Sequence, residues 1–245
     1  ARIDAVVVPM GVKPEDYAAF LPSIFNMENI AGALITMPHK ITTVAMLDEV
    51  SATVRVAGAC NAVKRVNGKL VGDMFDGEGF VRGVLRKGVT LQGASVLVVG
   101  SGGVGSAIAA SLAAAGVARM ALFDVSAASA QGLGERLKKH YPALQVQTGS
   151  KDPAGFDVVV NATPLGMNDG DPMPVDMSRV APSTFVGEVV MKTEMTAFLK
   201  AAQARGCRFQ VGTDMLFEQI PAYLEFFGFP STTPEELRSL ATLAY

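Results

Sequence analysis

An uncharged segment with a cluster of glycines at its centre constrains the fold of this chain more than any other feature. Residues 88–118 contain no charged side chain and form a run longer than the ~20 residues that a membrane-spanning helix needs. The glycines at positions 100, 102, 103 and 105, however, separate a valine-rich half from an alanine-rich half. Such a break is typical of a buried strand, a tight turn and a helix, so we do not expect a membrane span.

The composition predicts a folded chain that is long enough for one large or two modest domains. Of its 245 residues, 49% are hydrophobic and 18% are charged, and the mean hydropathy is +0.32; a disordered chain would be less apolar and more charged. The net charge of -2, without runs of like charge, argues against nucleic acid or a membrane surface as the main partner. We expect a small-molecule partner, and a monomer or homodimer.

Cysteine and histidine are too scarce to build a disulfide framework or a metal centre. Cys60 and Cys207 lack the spacing of a metal site, and His39 and His140 are the only histidines. No signal peptide is visible at the N-terminus, so the expected location is the cytoplasm. Because the chain begins with Ala1 rather than Met, we also expect a segment upstream of it.

Segments rich in Val and Ile alternate with helical segments, which predicts an α/β fold. In the first third, we expect strands at residues 5–8, 33–36, 60–66 and 69–72 and helices at 14–25, 39–47 and 76–86. Asn67-Gly68, between the last two of these strands, is a strong signal for an antiparallel hairpin. A second series follows, with strands at 96–99, 120–123, 157–160, 185–189 and 209–211 and helices at 106–115, 128–138, 196–205, 216–227 and 234–243.

The glycine cluster has the spacing of a dinucleotide-binding turn. Gly100, Gly102 and Gly105 form a G-x-G-x-x-G pattern between strand and helix, with Gly103 beside them. Glycine lets the backbone approach a pyrophosphate, and the helix N-terminus offers free N–H groups. We therefore expect these four glycines to bind a dinucleotide; a purely structural turn is the alternative. A P-loop is excluded, because Ser106 stands where that motif requires Lys.

These patterns predict a two-domain α/β architecture. Residues 1–79 together with about 218–245 form an N-terminal α/β substrate domain, and residues 80–217 form a Rossmann-type, doubly wound parallel sheet that binds the dinucleotide. Open α/β sheets bind ligands in the crevice at the carboxyl ends of their strands. We therefore expect the ligand site between the two domains.

Asp124 ends the strand that follows the glycine turn, where a carboxylate can accept hydrogen bonds from the adenosine ribose. This favours NAD, because a 2′-phosphate would meet like charge and residues 125–135 contain no Arg or Lys. The alternative is that Asp124 caps the helix that begins near Ser126. Asn161 and Thr163 likewise follow a strand at the edge where a cofactor would pass, but an ordinary strand-to-loop turn explains them equally well.

Lys40 and Asp76 are the candidate pair for dehydrogenase chemistry, in which a group must take the alcohol proton as hydride leaves. A lysine at a helix start is electrostatically disfavoured, and this misfit favours a functional role for Lys40. A solvated surface lysine is the simpler interpretation. Asp76 could instead cap the helix that it precedes. Gln219 shares a helix face with apolar residues, so its amide needs a partner, either the backbone or a polar ligand. No Ser/His/Asp arrangement is visible, which excludes acyl transfer.

Five ordered motifs, spanning nearly the whole chain, resemble those of the shikimate/quinate dehydrogenase family. They are Thr36-Met-Pro-His-Lys40, Gly58-Ala-Cys-Asn61-Ala-Val, Gly72-Asp-Met-Phe-Asp76-Gly-Glu-Gly-Phe80, Asn161-Ala-Thr163-Pro-Leu-Gly-Met167 and Gly212-Thr-Asp-Met215-Leu-Phe-Glu-Gln219. The resemblance implies interconversion of shikimate and 3-dehydroshikimate, or of quinate and 3-dehydroquinate, with Lys40 and Asp76 as the proton-handling dyad.

The resemblance also implies roles for the remaining candidate residues. Ring hydroxyls of the substrate would be bound by Thr36, Asn61 and Gln219. The nicotinamide would be lined by Val189, Gly212 and Met215, while the pyrophosphate and ribose would be held by Gly102, Gly103 and Asp124.

Several positions depart from the family pattern. The chain begins after the upstream strand and helix that usually carry two serines for the substrate carboxylate, so recognition of that group is unaccounted for. Polar residues that the family pattern leads us to expect are replaced by Leu34, Met74 and Phe75. The usual Tyr and Pro are replaced by Met191 and Thr193. These substitutions make the pocket more apolar, and each substrate hydroxyl left without a hydrogen-bonding partner would weaken binding by ~1–3 kcal/mol. The departures predict weak turnover of shikimate or a related but different substrate.

The family commonly uses NADP through an Asn-Arg-Thr turn, but here Phe123-Asp124-Val-Ser126 occupies that place. We therefore expect NAD first and NADP second. Two other functions stay open: a dehydrogenase for a related ring hydroxy or amino acid such as an aminoshikimate, and a non-catalytic nucleotide- or ligand-binding relative. The retention of both Lys40 and Asp76 argues against the latter, since a pure binder needs no proton relay.

Overall fold

Two β-sheets of different construction organise the computed structural model, which describes residues 4–241. The first has four strands in the order β1-β3-β4-β2: β1 (Ala33–Leu34), β2 (Glu49–Val50), β3 (Ala62–Val66) and β4 (Lys69–Asp73). β3 is antiparallel to both neighbours, and β2 is parallel to β4. The helices of this part of the chain are α1 (Pro14–Ile24), α2 (Lys40–Val44) and α3 (Ala52–Ala57).

The predicted hairpin is confirmed. β3 and β4 pair in antiparallel register from Ala62 opposite Asp73 to Val66 opposite Lys69. The two connecting residues, Asn67 and Gly68, have positive φ angles of 50° and 83°, as a two-residue turn compatible with strand twist requires.

The second sheet is entirely parallel, with six strands in the order β10-β9-β8-β5-β6-β7. Its strands are β5 (Ser95–Val99), β6 (Arg119–Phe123), β7 (Gln145–Thr148), β8 (Val158–Asn161), β9 (Phe185–Glu188) and β10 (Phe209–Gln210). The chain reverses its direction of winding between β5 and β8, and such a switch point forms a crevice at the carboxyl ends of the strands. The predicted doubly wound Rossmann-type sheet is confirmed.

Helices cover this sheet and connect it to the first one. They are α4 (Asp76–Arg86), α5 (Gly103–Ala114), α6 (Ala127–His140), α7 (Ala197–Ala204), α8 (Gly212–Phe227) and α9 (Pro234–Leu240), with a 3₁₀ turn at Met177–Arg179. Side chains of β5 alternate between two cores: Val96 and Val98 pack on the side of α5, and Leu97 and Val99 pack on the side of α7. None of the described helices combines the length and apolar character needed to cross a membrane.

Helix α4 packs backbone against backbone on two neighbours. A β-carbon added at Gly77 would lie 2.0 Å from the carbonyl oxygen of Ala107 in α5, and one at Gly79 would lie 2.6 Å from that of Met215 in α8. Both distances are far below van der Waals contact. The two glycines therefore permit α4 to lie directly on α5 and α8.

The expected strand at residues 5–8 is wrong. These residues form no strand and are exposed, because an apolar run becomes a strand only where a partner strand supplies N–H and C=O groups, and no described strand pairs with it. The short elements β2 and α3 and the strand β7 were not predicted from the sequence. The helix expected at 216–227 begins earlier, at Gly212, and the one expected at 234–243 ends at Leu240, with residue 243 lying outside the described residues.

The predicted domain limits at 79/80 and 217/218 fall inside α4 and α8. These two helices pack against each other, as the close approach at Gly79 requires. The division into two domains stays a prediction.

Candidate active site

Lys40 and Asp76 form an ion pair at the junction of the two sheets. Lys40 begins α2, which follows β1, and Asp76 is the first residue of α4. The Lys40 Nζ atom lies 2.6 Å from Asp76 Oδ2, and the two side chains are only 18% and 7% exposed. Lys40 is therefore not a solvated surface lysine, and the Asp76 carboxylate is engaged by side chains rather than by the start of its helix.

Three side chains from different elements converge on the Asp76 carboxylate. Lys40 donates to Oδ2, while Asn61 Nδ2 and Gln219 Nε2 donate to Oδ1 at 2.8 and 2.6 Å. Asn61 lies just before β3, and Gln219 lies in α8. The partner that the buried amide of Gln219 needs is therefore a carboxylate, not the backbone. We call Lys40, Asn61, Asp76 and Gln219 the acid–amide cluster.

Tyr223 joins this cluster, although the sequence analysis did not select it as a site residue. Its hydroxyl accepts a hydrogen bond of 2.8 Å from Asn61 Nδ2, and its ring packs edge-on against Phe75 with the centroids 5.3 Å apart. Burial and the negative charge of Asp76 raise the pKa of the Tyr223 phenol. The one feature of the sequence that could have identified Tyr223 as a site residue is its position one helical turn after Gln219.

Thr36 and His39 lie outside the cluster. Thr36 is exposed, and no side-chain hydrogen bond joins it to the cluster within the described part of the chain. His39 is the satisfied histidine that its isolation suggests: its ring stacks on Tyr17 at 3.9 Å, and Nε2 lies 3.0 Å from the carbonyl oxygen of Val12.

The four glycines of the turn divide into two kinds. Gly100 has a φ of +105°, and a β-carbon there would lie 2.6 Å from the carbonyl oxygen of Ala162; one at Gly105 would lie 2.0 Å from that of Gly100. These two glycines are needed for the turn itself. Gly102 and Gly103 have nothing within 4 Å of such a β-carbon, so their backbone faces open space that a ligand can approach.

The residues of this turn fit the pyrophosphate of a dinucleotide. Helix α5 has Gly102 as its N-cap and no side-chain cap, which leaves the N–H groups of its first turn free for an anion. The hydroxyl of Ser101 is buried, and no described residue hydrogen-bonds it. A buried hydroxyl without a partner is costly, and a phosphate oxygen above the turn would satisfy it.

Asp124 links the glycine turn to the start of α6. Its Oδ2 accepts from the backbone N–H of Ser101 at 2.7 Å, and its Oδ1 accepts from that of Ser126 at 2.8 Å. The helix cap itself is Ser126, whose side chain accepts from the N–H of Ser129. Asp124 therefore supports both the turn and the helix start, at the carboxyl end of β6 where a ribose would lie.

Asn161 and Glu188 organise the loops after β8 and β9. Asn161 Oδ1 accepts from the N–H and the hydroxyl of Thr163 at 3.1 and 2.6 Å, and its Nδ2 donates to Glu188 Oε1 at 2.9 Å. The same carboxylate accepts from the backbone N–H groups of Val189 and Val190 and from the hydroxyl of Thr196. Burial raises the pKa of Glu188. Sequence reasoning missed Glu188, since nothing local marks a strand-end carboxylate as buried.

The remaining predicted cofactor residues lie at the same end of the sheet. Val189 follows β9, and Gly212 begins α8 where an added β-carbon would lie 2.2 Å from the carbonyl oxygen of Val190. Met215 is buried in the core beside α4. Among residues 4–241, no three His, Cys, Asp or Glu side chains come together in a way that could hold a metal ion.

A Rossmann-type sheet with an open glycine turn, beside a Lys–Asp pair, defines the class of Rossmann-type oxidoreductases. Residues 1–63 match the family model of the shikimate dehydrogenase substrate binding domain. The shikimate dehydrogenase (NADP(+)) of Geobacter metallireducens is 32% identical over 89% of this chain and 78% of its own length. The chain belongs to the shikimate dehydrogenase family, whose chemistry is oxidation and reduction at CH–OH.

Solved structures agree with this assignment. Ligand-free 5-ketofructose reductase from a Gluconobacter strain has a TM-score of 0.84 and 29% identity, covering 95% of this chain and 86% of that one. Quinate dehydrogenase from Corynebacterium glutamicum in complex with NAD has a TM-score of 0.81 and 31% identity, covering 91% and 81%.

Proposed function

We propose that this protein interconverts shikimate and 3-dehydroshikimate, with quinate as a related substrate, and that it uses NAD in preference to NADP. The observation that carries the proposal is the buried ion pair of Lys40 Nζ and Asp76 Oδ2 at 2.6 Å, into which Asn61 and Gln219 also converge. Such an arrangement suits a reaction in which a proton and a hydride move at one carbon.

The nicotinamide cofactor supplies or removes the hydride when it is bound. In the direction of reduction, the Lys40 ammonium donates a proton from Nζ to the ketone oxygen, which becomes the ring hydroxyl. In the direction of oxidation, Nζ takes that proton back. Asp76 keeps the Lys40 side chain in place and stabilises its positive charge, and Gln219 fixes the rotamer of Asp76.

Substrate contacts beyond this pair form part of the proposal. Thr36, on the exposed loop before α2, and Asn61 and Gln219, in the acid–amide cluster, would bind the ring hydroxyls. Phe75 is buried and carries no hydrogen-bonding group, so it offers shape rather than polarity. A substrate hydroxyl beside Phe75 would lack a hydrogen-bonding partner, so we expect a lower kcat/KM for shikimate than a fully polar pocket would give.

The preference for NAD rests on Asp124 and its neighbour. The Asp124 carboxylate sits at the carboxyl end of β6, where it would repel a 2′-phosphate, and Val125, which follows, is 98% exposed and uncharged. Residues 124–135 therefore offer a 2′-phosphate no cation; Lys151 Nζ, after β7, lies 5.6 Å from the centroid of the Phe123 ring. The Geobacter relative is named for NADP(+), whereas the Corynebacterium quinate dehydrogenase structure holds NAD.

The test is a panel of initial rates followed through nicotinamide absorbance. Wild type and Lys40→Ala are assayed with shikimate and quinate, each with NAD and with NADP. Shikimate turnover that prefers NAD and collapses in Lys40→Ala supports the proposal. Absence of turnover with both acids, despite measurable NAD binding, overturns the substrate assignment.

A second candidate is the reduction of an uncharged polyhydroxy ketone. The similarity to 5-ketofructose reductase at 29% identity favours the same substrate class. Adding 5-ketofructose with NADH and with NADPH to the panel distinguishes the two, since the better substrate has the higher kcat/KM.

A further inference from the structure

An arginine of α6 binds the end of α3 across the boundary between the two sheets. The Arg136 Nε atom donates to the carbonyl oxygen of Val56 at 2.6 Å. Arg136 lies in α6, beside the parallel sheet, whereas Val56 lies in α3, between the strands β2 and β3 of the first sheet. This hydrogen bond therefore joins the part of the molecule that contains the glycine turn to the part that carries Lys40 and Asn61.

Arg136 has no counter-ion among the described residues. Its side chain is half-buried, and burial lowers the pKa of the guanidinium without a nearby carboxylate to raise it. A partly buried cation without a counter-ion stabilises a fold little, and an uncharged side chain of similar length would fill the same space. Stability alone therefore does not account for this contact.

Helix α3 interlocks with α5 and α6 at the same boundary. It packs against both helices: Val56 of α3 belongs to the core of the parallel sheet, and Ala107 of α5 belongs to the core of the first sheet. Helix α5 begins at the glycine turn, and α6 begins just after Asp124. Both partners of α3 thus begin where a bound dinucleotide would lie.

Residues 56–61 extend this contact to the acid–amide cluster. The backbone N–H of Cys60 donates to the carbonyl oxygen of Lys40 at 2.9 Å, and the side chain of Asn61 donates to Asp76 at 2.8 Å. A shift of α3 relative to α6 would therefore displace the backbone of Lys40 and the amide of Asn61 together.

We infer that Arg136 is a positioning residue that couples the nucleotide site to the acid–amide cluster. Nucleotide bound at the starts of α5 and α6 holds α3 in place through Arg136, and residues 56–61 then hold Lys40 and Asn61. Substrate binds more tightly when nucleotide is present, and by linkage nucleotide binds more tightly when substrate is present. The inference rests on the proposed function, which supplies the identity of the two ligands.

The first experiment measures this coupling in Arg136→Met, whose side chain keeps an aliphatic stem and has no N–H group. NADH is titrated by its fluorescence with and without saturating shikimate, a pair that cannot react because both compounds are already reduced. We expect shikimate to tighten NADH binding at least about fivefold in wild type and less than about twofold in Arg136→Met. Without shikimate, the two proteins should bind NADH within about twofold of each other.

Arg205→Met is the matched control. Arg205 Nε also donates to a backbone carbonyl, that of Val180 at 2.9 Å, and Arg205 is half-buried like Arg136. Both Arg205 and Val180 lie beside the parallel sheet, so this bond does not cross the boundary. The control should keep the coupling of wild type.

The second experiment needs no substrate. Hydrogen exchange followed by mass spectrometry reports on the backbone N–H groups of residues 57–61, among them the N–H of Cys60 that binds Lys40. NADH alone should slow exchange in this segment at least about threefold in wild type and in Arg205→Met, and should leave it unchanged in Arg136→Met.

Three results overturn the inference. They are coupling or protection that persists in Arg136→Met, an equal loss of coupling in Arg205→Met, and wild type without protection by NADH. The last result decides the question even where a variant fails to fold. Wild type that turns over neither shikimate nor quinate overturns the proposed function, and hydrogen exchange with NADH alone then decides the inference separately.

Discussion

The Asp124 carboxylate lies 2.7 Å from the backbone nitrogen of Ser101, so the residue proposed to select the cofactor also holds the glycine turn. Its Oδ2 accepts the N–H of Ser101 in the turn, and its Oδ1 accepts the N–H of Ser126, the N-cap residue of α6. Removing the side chain would therefore disturb pyrophosphate and ribose recognition together. A test of cofactor choice must change the charge of this side chain and keep its shape.

Asp124→Asn combined with Val125→Arg should reverse the cofactor preference. The amide keeps an acceptor oxygen for the N–H of Ser101 and gives up the hydrogen bond from the N–H of Ser126. The new guanidinium on an exposed position can pair with a 2′-phosphate. We expect the ratio of kcat/KM for NADP to that for NAD to rise at least about tenfold, from charge effects of ~1.4 kcal/mol or more. Gln131→Arg, which adds the same charge on the exposed face of α6, is the control and should leave the ratio unchanged.

Gly102→Ala and Gly105→Ala should fail in different ways. Alanine at 102 meets open space, so the melting temperature should hold while the KM for the cofactor rises, because the methyl group lies where the pyrophosphate approaches. Alanine at 105 would place its β-carbon 2.0 Å from the carbonyl oxygen of Gly100. It should destabilise the fold by ~1–3 kcal/mol or more. Thermal unfolding and cofactor titration separate the two, and equal stability losses would contradict the division.

Asp76→Asn should lower kcat by about 10²–10⁴-fold, the usual contribution of positioned proton transfer. The amide cannot balance the Lys40 charge, and its own N–H groups oppose the donors from Asn61 and Gln219. Cofactor affinity should stay within twofold of wild type, measured by fluorescence titration. A variant with normal kcat would remove Asp76 from the proton-handling pair.

Glu188 should make stability depend on pH in a defined direction. Because burial raises its pKa in the folded state above 4.5, folding binds the proton, and this contribution is complete below pH 4.5 and lost as pH rises through the folded pKa. Glu188→Gln does not titrate, so its melting temperature should improve relative to wild type from pH 4.5 upward. Glu194→Gln, at an exposed position on the same loop, should show no such trend; parallel curves for both variants would contradict the assignment.

Cys60 should resist alkylation in the folded protein. Burial raises the pKa of its thiol to about 12, so its thiolate fraction at pH 8 is about a thousandfold below that of a thiol with the ordinary pKa of 9.0. Mass spectrometry after iodoacetamide treatment should find Cys60 unmodified in native protein and modified after unfolding in urea. Rapid native labelling would show that the four-stranded sheet opens around this residue.

The parts of the fold that could be predicted are those whose signals are local. The turn at Gly100 needs positive φ and close backbone approach, and the Asn67-Gly68 hairpin needs two positive φ values, so in both cases glycine marks the position directly. The strand expected at residues 5–8 has the same apolar character as β5 but lacks a pairing partner in the described structure. Pairing depends on distant residues, and a local pattern does not contain it.

The candidate site shows the same limit. Lys40 and Asp76 could be selected as a candidate pair from their positions at helix starts, but only their resemblance to known motifs favoured them over a surface lysine and a helix cap. Tyr223 and Glu188 gain their interest from neighbours more than twenty residues away in the chain, Asn61 and Asn161. Such long-range contacts become visible only when the elements are assembled.

The seating of α4 on two other helices has a consequence for the reaction cycle. Gly77 and Gly79 lie against the backbones of α5 and α8, so the position of Asp76 is tied to the helix that follows the glycine turn. Lys40 instead approaches from the loop after β1. An opening that moved α2 away from α4 to release product would also break the ion pair of Lys40 and Asp76. The reverse proton transfer would then stop while product leaves.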